Sequence, residues 1–97
     1  MPRQRRRKSA TGFYHVIAKG INREKIFNQT REKNYFKRIL RKYLQEDEVE
    51  IYAYCIMSNH VHLIIKSELA VLAVFMAKCL AKYAEYYNYK HNRNGHV

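Results

Sequence analysis

The sequence predicts an α+β fold in which two helices cover one face of an antiparallel sheet. Three segments are rich in β-branched and aromatic residues, and in two others apolar residues recur every three or four positions. The five segments follow one another in the order β-α-β-β-α. The chain has 97 residues, of which 47% are hydrophobic. That is enough for one domain with a two-layer core, and a large enclosed cavity for a small-molecule substrate is not expected.

The first strand and the first helix have distinct signals. Phe13 to Lys19 is rich in aromatic and β-branched residues and stops at Gly20, which predicts a strand. A loop is expected up to Gln29. Apolar residues then recur with a helical period, and Thr30 is the expected N-cap of this helix. Its apolar stripe consists of Tyr35, Phe36, Ile39, Leu40, Tyr43 and Leu44.

The second half of the chain predicts a hairpin followed by a helix. From Val49 the apolar period falls to two, which predicts that Val49, Ile51, Ala53, Cys55 and Met57 share one strand face, and Tyr52, Tyr54 and Ile56 the other. A turn at 57–59 leads into a third strand. The helical period then returns up to about Tyr89, with Ser67 as the expected cap. The apolar stripe of this helix is Leu69, Leu72, Phe75, Met76, Cys79, Leu80, Tyr83 and Tyr87.

The third strand carries two histidines separated by one residue, His60 and His62. Residues i and i+2 of a strand lie on one face, about 6 to 7 Å apart, so both imidazoles can converge on one cation. Val61, Leu63 and Ile65 face the other way and predict the packing side. Two histidines on a solvent-facing strand are also common as plain surface residues. His15 is expected to point elsewhere or to support the neighbouring strand.

The charge predicts a polyanionic partner. Nineteen Lys and Arg against eight Asp and Glu give a net charge of +11, and only five of these positive charges lie in the run from Arg3 to Lys8. Nucleic acid is favoured over a membrane, because no segment approaches the ~20 apolar residues of a spanning helix. Residues 1–12 are expected to form a basic arm, either for phosphate contact or for solubility. The predicted nucleic-acid contacts are Arg3, Arg5, Arg6, Arg7, Lys8, Lys19, Arg23 and Lys25.

The two cysteines predict a reducing compartment. Cys55 and Cys79 have neither the spacing of a zinc site nor the density of a disulfide scaffold. Both are expected to be buried and reduced. Because no export signal is visible, we expect the protein to be located in a reducing interior such as a bacterial cytoplasm.

The element order is that of a split βαβ or ferredoxin-like domain, here 13–97, in which the fourth strand is missing. We expect the first strand, Phe13 to Lys19, to lie at an open sheet edge. Unpaired edges pair readily with other strands, so a homodimer is predicted, joined at this edge or through the apolar stripe of the second helix.

Several motifs resemble the HUH-type single-tyrosine transposases, and most closely the branch associated with repetitive extragenic palindromes. The most specific is the stretch from Ala53 to Leu63, AYCIMSNHVHL. The supporting segments are Phe13–Val16, Lys19–Gly20, Ile26–Phe27 and 92–97. The resemblance covers nearly all of 9–97.

The resemblance implies a mechanism and also a departure from it. It implies that His60 and His62 bind Mg²⁺ or Mn²⁺ at the scissile phosphate of single-stranded or hairpin DNA, where a tyrosine forms a 5′-phosphotyrosine link. In relatives that tyrosine follows the Gly95-His96 element, so the nucleophile is expected beyond Val97 and the chain is expected to be C-terminally truncated. Two alternatives remain open: a non-catalytic module that binds single strands, with Tyr52 and Tyr54 stacking on bases, and an inactive transposase remnant.

Overall fold

The computed structural model describes residues 10–20 and 25–90. The elements are β1 (Phe13–Lys19), α1 (Thr30–Asp47), β2 (Glu50–Ile56), β3 (His60–Lys66) and α2 (Leu69–Lys90). The three strands form one antiparallel sheet in the order β1-β3-β2, and both helices pack on one of its faces. The predicted α+β class and element order are therefore confirmed. Residues 1–9, which carry the positive charges of the basic arm, and the segments 21–24 and 91–97 lie outside the described residues.

The histidine strand β3 is the centre of the sheet. Its three inward side chains, Val61, Leu63 and Ile65, are each 0% exposed. Burial of an aliphatic side chain of this size stabilises a fold by roughly 1.5 to 3 kcal/mol, so these three residues fix which face of β3 turns inward. They pack with the apolar stripes of both helices. The face that carries His60 and His62 must then point away from the helices.

The second strand departs from the predicted alternation. Ile51 lies opposite Ile65, but Ala53 and not Tyr52 lies opposite Ile64, so Tyr52 is an extra residue in a β-bulge. The bulge inverts the parity of the strand. Ile51 therefore faces the core, whereas Ala53 and Cys55 share the face of the histidines. The prediction of a single face from Val49 to Met57 is wrong for this reason, and the predicted burial of Cys55 is wrong as well, because Cys55 is exposed.

Both predicted helix caps require correction. The residue that precedes α1 with an extended backbone is Gln29, whereas Thr30 is already helical. The Gln29 N–H donates to the Glu32 carboxylate at 3.0 Å, which ties down the first turn. Before α2, the Leu72 N–H donates to the carbonyl of Glu68 at 2.9 Å, so Glu68 holds the cap position. The Ser67 hydroxyl donates to the same carbonyl instead of capping an N–H.

The described part of the loop before α1 belongs to the core. Ile26 and Phe27 are 5% and 0% exposed. The Phe27 ring packs between Phe36 and Tyr83, with centroid distances of 5.0 and 4.9 Å. The Tyr83 hydroxyl donates to the Ile26 carbonyl. This segment was predicted as plain loop, and its burial fixes one end of the sheet, where the β2–β3 turn lies.

Candidate functional site

Three imidazoles and one amide form a continuous row on the outer face of the sheet. His60 Nε2 and His62 Nε2 lie 3.0 Å apart, and His62 Nδ1 lies 3.1 Å from His15 Nε2. His60 Nδ1 lies 2.6 Å from the Asn59 side-chain oxygen. We call His15, His62, His60 and Asn59 the histidine row. Because Val61, Leu63 and Ile65 turn inward, the row lies on the face that the helices leave uncovered.

The β2–β3 turn positions one end of the histidine row. The Met57 N–H donates to the His60 carbonyl at 2.8 Å and closes the turn. Two further bonds hold the turn from outside: the Phe27 N–H donates to the Ser58 carbonyl at 2.8 Å, and the Gly20 N–H to the Asn59 carbonyl at 3.2 Å. Since Phe27 is buried, the turn is anchored to the core. The turn thereby fixes the positions of Asn59 and of His60, the first residue of β3.

Asn59 determines which nitrogen of His60 carries the hydrogen. The amide oxygen of Asn59 can only accept, so the Nδ1 atom of His60 donates to it. The Nε2 atom of a neutral His60 then carries a lone pair that faces His62. A metal-binding histidine is commonly oriented in this way, by a hydrogen bond from its other ring nitrogen.

His15 belongs to the histidine row. Of the two expectations for this residue, that it points elsewhere is wrong, whereas its contact with His62 agrees with support of the neighbouring strand. In the β1–β3 register, Ile17 lies opposite His62 and His15 opposite Ile64. These four residues share the outer face, and His15 is the diagonal neighbour of His62. Its ring stacks on the ring of His62 with a centroid distance of 5.3 Å. The parity of β1 contained this signal, because buried Tyr14 and Val16 leave His15 on the opposite face.

The surroundings of His62 favour its neutral form. Partial burial lowers the pKa of His62, and the neighbouring positive charges of His60, His15 and Lys19 lower it further. A neutral imidazole keeps a lone pair for a ligand. The electrostatics of the histidine row therefore agree with a role as metal ligand at neutral pH.

The donor set fits a divalent ion that is completed by other ligands. Two nitrogens bound at ~2.1 Å to neighbouring positions of an octahedral ion lie ~3.0 Å apart, which is the observed separation of the two Nε2 atoms. In 10–20 and 25–90, no group of three or more His, Cys, Asp or Glu side chains could hold a metal ion. His60 and His62 thus supply two ligands, and Mg²⁺ or Mn²⁺, which prefer oxygen, would need water or phosphate oxygens for the rest.

Apolar and cationic side chains surround the histidine row. Phe13 and Ile17 are 39% and 46% exposed on the same face. The ring of the bulged Tyr52 packs edge-on against Phe13 at 4.9 Å, and the Lys66 ammonium lies 5.6 Å from the Phe13 ring. Lys19 is exposed at the other end of β1, opposite His60 in the register. We call this outer surface of the sheet the free face; it is formed by Phe13, His15, Ile17, Lys19, Tyr52, Ala53, Cys55, His60, His62, Ile64 and Lys66.

The predicted nucleic-acid contacts are only partly described. Lys19 and Lys25 are exposed, as a phosphate contact requires. The other predicted contacts lie outside the described residues: Arg3, Arg5, Arg6, Arg7, Lys8 and Arg23.

The tyrosines of α2 lie on the other side of the sheet from the histidines. Tyr83 and Tyr87 are 2% and 5% exposed in the core, and burial raises the pKa of both hydroxyls. Tyr86 stacks face to face on Tyr35 of α1 with ring centroids 3.7 Å apart. A raised pKa makes a phenol a weaker nucleophile at neutral pH. None of these hydroxyls is placed to attack a group held at the histidine row.

The comparisons with known proteins identify a protein of DNA transposition. The family described as "Transposase IS200 like" matches residues 9–96. The chain therefore belongs to the IS200-like transposase family. The comparison with curated protein sequences gave no match.

A solved structure supports the fold. A protein from Deinococcus radiodurans R1 that is assigned as a transposase superposes with a TM-score of 0.66 and 21% sequence identity. The match covers 93% of this chain and 67% of that chain. At this identity the likeness shows a shared architecture. Across 10–20 and 25–90, no helix is both long and apolar enough to cross a membrane.

Proposed function

We propose that this chain binds single-stranded or hairpin DNA during transposition and that His60 and His62 hold Mg²⁺ or Mn²⁺ at a DNA phosphate. The observation that carries the proposal is the 3.0 Å separation of the two Nε2 atoms on the exposed face of the central strand. Family membership supplies the DNA context. A divalent ion at this position would neutralise charge that develops on the scissile phosphate.

The chain's own residues bind and orient the DNA in this proposal. Lys19 at one end of the free face and Lys66 at the other contact phosphates, and Lys25 and the basic residues from Arg3 to Lys8 supply further phosphate contacts. Phe13 and Tyr52 offer apolar ring surface to unpaired bases. Asn59 and His15 hold the two ligand imidazoles in orientation.

We propose further that the protein cleaves and rejoins DNA, and that it belongs to the branch associated with repetitive extragenic palindromes. The motif from Ala53 to Leu63 supports this assignment. A tyrosine hydroxyl would attack the phosphorus and form a 5′-phosphotyrosine bond, while the 3′ oxygen leaves and takes up a proton. The core position of Tyr83 and Tyr87 supports a nucleophile other than these two tyrosines.

The experiment that tests this function combines DNA binding with metal titration. A labelled single-stranded hairpin is titrated with the protein, and fluorescence anisotropy gives the Kd at several salt concentrations. We expect Kd to rise steeply with salt, and the Arg5→Ala, Arg6→Ala and Arg7→Ala triple variant to bind all sequences more weakly. Wild-type protein that leaves the anisotropy of hairpin and unstructured oligonucleotides unchanged would contradict the proposal.

The metal part has its own measurement. Titration of Mn²⁺ should raise the melting temperature of the wild type and not that of His60→Ala or His62→Ala, because binding to the native state stabilises it. Ile64→Ala, on the same strand and face, is the matched control. An equal rise in all four proteins would place the ion elsewhere.

A second candidate function is a non-catalytic module for single-stranded nucleic acid. The exposed aromatic pair Phe13 and Tyr52 on the free face favours it, because stacking needs no metal. DNA binding that is unchanged by EDTA and by His60→Ala, but is lost in Phe13→Ala, would decide for this candidate.

We also propose that the protein is cytoplasmic. We propose further that two copies of the chain associate through the β1 edge. Within the described residues, β1 pairs with β3 alone and forms an edge of the sheet. The stripe of α2, the other dimer surface predicted from the sequence, offers less surface to a second copy, because Leu72, Phe75, Cys79 and Tyr83 are packed in the core. Light scattering across a concentration series tests the β1 edge, and a strict monomer at high concentration would exclude the dimer.

A further inference from the structure

A second cationic and aromatic surface lies at the opposite edge of the sheet, between α1 and β2. It is a groove of about 400 Å³, which we call the edge groove, and it is lined by Lys37, Leu40, Arg41, Leu44, Ile51, Tyr52, Ala53 and Tyr54. Its walls combine two cations with tyrosine and aliphatic side chains, and no acidic residue lines it. This composition matches a ligand that has an aromatic part and a negative charge.

Tyr54 is the aromatic surface that the edge groove offers. The β2–β3 register places Tyr54 opposite Leu63, whose side chain faces the helices, yet Tyr54 is 54% exposed because β2 is an edge strand. The Lys37 ammonium lies 6.0 Å from the centroid of its ring. The Tyr52 ring, by contrast, packs on Phe13. Tyr54 is therefore the ring on which a ligand in the groove can stack.

Among the described residues, the cations of the groove lack the carboxylate partners that Lys78 and Lys82 have. Lys78 of α2 lies 2.7 Å from Asp47, and Lys82 lies 3.5 Å from Glu85. In the part of the chain that the structure describes, none of the ion pairs within 4.0 Å includes Lys37 or Arg41. These two residues are four positions apart on α1 and project from one side of the helix. Their positive field remains available to an anion.

The edge groove lies at β2, which is the neighbouring strand of the one that carries His60 and His62. Tyr54 is followed by Cys55, which shares the free face and lies opposite His62. Only the edge strand β2 separates the two surfaces, and neighbouring strands are ~4.8 Å apart. A single strand of DNA that leaves the histidine row across β2 reaches the groove. A double helix does not offer unpaired bases for stacking.

We propose that the edge groove binds an unpaired nucleotide of single-stranded DNA, with its base stacked on Tyr54 and its phosphates held by Lys37 and Arg41. This inference rests on the proposed function, because the same strand occupies the histidine row. It adds a binding site at the β2 edge of the sheet, beside the free face. The site contributes to affinity for unpaired DNA and makes no contact with the histidine row.

The test measures binding of a fluorescein-labelled single-stranded hairpin with unpaired flanks to the 97-residue chain. Tyr54→Ala should weaken binding about tenfold, within the range of base–aromatic stacking, and Tyr54→Phe should restore it. Tyr89→Ala is the matched control, because Tyr89 is 84% exposed at the end of α2. The double variant Lys37→Gln, Arg41→Gln should lower the slope of log K against log salt by ~1.4 for two single-strand phosphate contacts. Circular dichroism melts establish that each variant is folded.

A crosslinking measurement locates the nucleotide. The same oligonucleotide with 5-iododeoxyuridine in its flanks is irradiated with the protein, and mass spectrometry maps the adduct. We expect adducts on the peptide that contains Tyr54, in the wild type and not in Tyr54→Ala.

The outcomes separate this inference from the proposed function. If the wild type binds DNA but the groove variants bind like their controls, the edge groove is not a DNA site, although the proposed function stands. If the wild type binds no single-stranded DNA, both fall. If Tyr54→Ala instead abolishes a concentration-dependent dimer and leaves the Kd for DNA unchanged, the occupant is a second copy of the chain and the inference is overturned.

Discussion

His15 offers the sharpest test of how the histidine row works. For His62 to bind an ion through Nε2, its Nδ1 must carry the hydrogen and needs an acceptor, and His15 Nε2 at 3.1 Å is in that position. We expect His15→Phe to keep a ring beside His62 but to remove the acceptor. Loss of such a supporting hydrogen bond typically weakens metal affinity 10- to 100-fold, or ~1.4 to 2.7 kcal/mol. With Mn²⁺ in large excess, the metal-induced rise in melting temperature should be smaller by about 6 to 20 °C for a domain of this size.

The assay needs two controls. His15→Gln retains an acceptor oxygen and should recover most of the Mn²⁺ affinity, while Ile17→Ala changes the same face of β1 without touching the histidine nitrogens. The ¹⁵N NMR chemical shifts of the His62 ring report its tautomer and do not depend on the stability of the fold. When Mg²⁺ is added to the wild type, Nδ1 should become the protonated nitrogen. If His15→Phe binds Mn²⁺ as tightly as the wild type, His15 has no part in orienting His62.

Three further predictions concern pH, thiol chemistry and packing. The pKa of His62 is lowered from its ordinary value of 6.5, so the Mn²⁺ affinity should be constant above pH 6.5 and should fall as the pH drops through the lowered pKa. The stability of the metal-free protein should be lost over the same pH range, and less so in His62→Gln. Equal pH profiles of wild type and His62→Gln would refute the lowered pKa of His62. One thiol of the folded protein should react with Ellman's reagent, namely exposed Cys55, because burial, and Asp47 nearby, raise the pKa of Cys79 to about 12; a fast reaction of folded Cys55→Ser would disprove this. Tyr83→Phe should destabilise the fold by ~1 to 3 kcal/mol in urea titrations by leaving the buried Ile26 carbonyl without its donor, whereas exposed Tyr89→Phe should have no effect.

The periodicity of β3 was sufficient to predict its two faces. Val61, Leu63 and Ile65 alternate with His60, His62, Ile64 and Lys66 on a strand that has neighbours on both sides, so burial follows the two-residue period of the strand. The same argument predicted β1 and the inward stripes of both helices. For the candidate site it gave His60 and His62, because their shared face follows from spacing alone.

The remaining features depend on contacts that a single strand or helix does not encode. The bulge at Tyr52 inverts the parity of β2, and only the pairing with β3 reveals it. The burial of Ile26 and Phe27 depends on rings from both helices. His15 joins the histidine row because β1 pairs with β3 in one particular register, and a shift of one residue would turn it to the core.

The sheet separates two kinds of chemistry in this chain. Its inner face holds Tyr83 and Tyr87 of α2 among apolar side chains, which raises the pKa of both hydroxyls. Its outer face holds the imidazoles, where partial burial and neighbouring cations lower the pKa of His62. A phosphate bound at His60 and His62 has the sheet and the core behind it. Under the proposed function, a nucleophile that attacks a phosphate held at His60 and His62 must therefore approach from the free face, and a tyrosine on the inner side of α2 has no path to it.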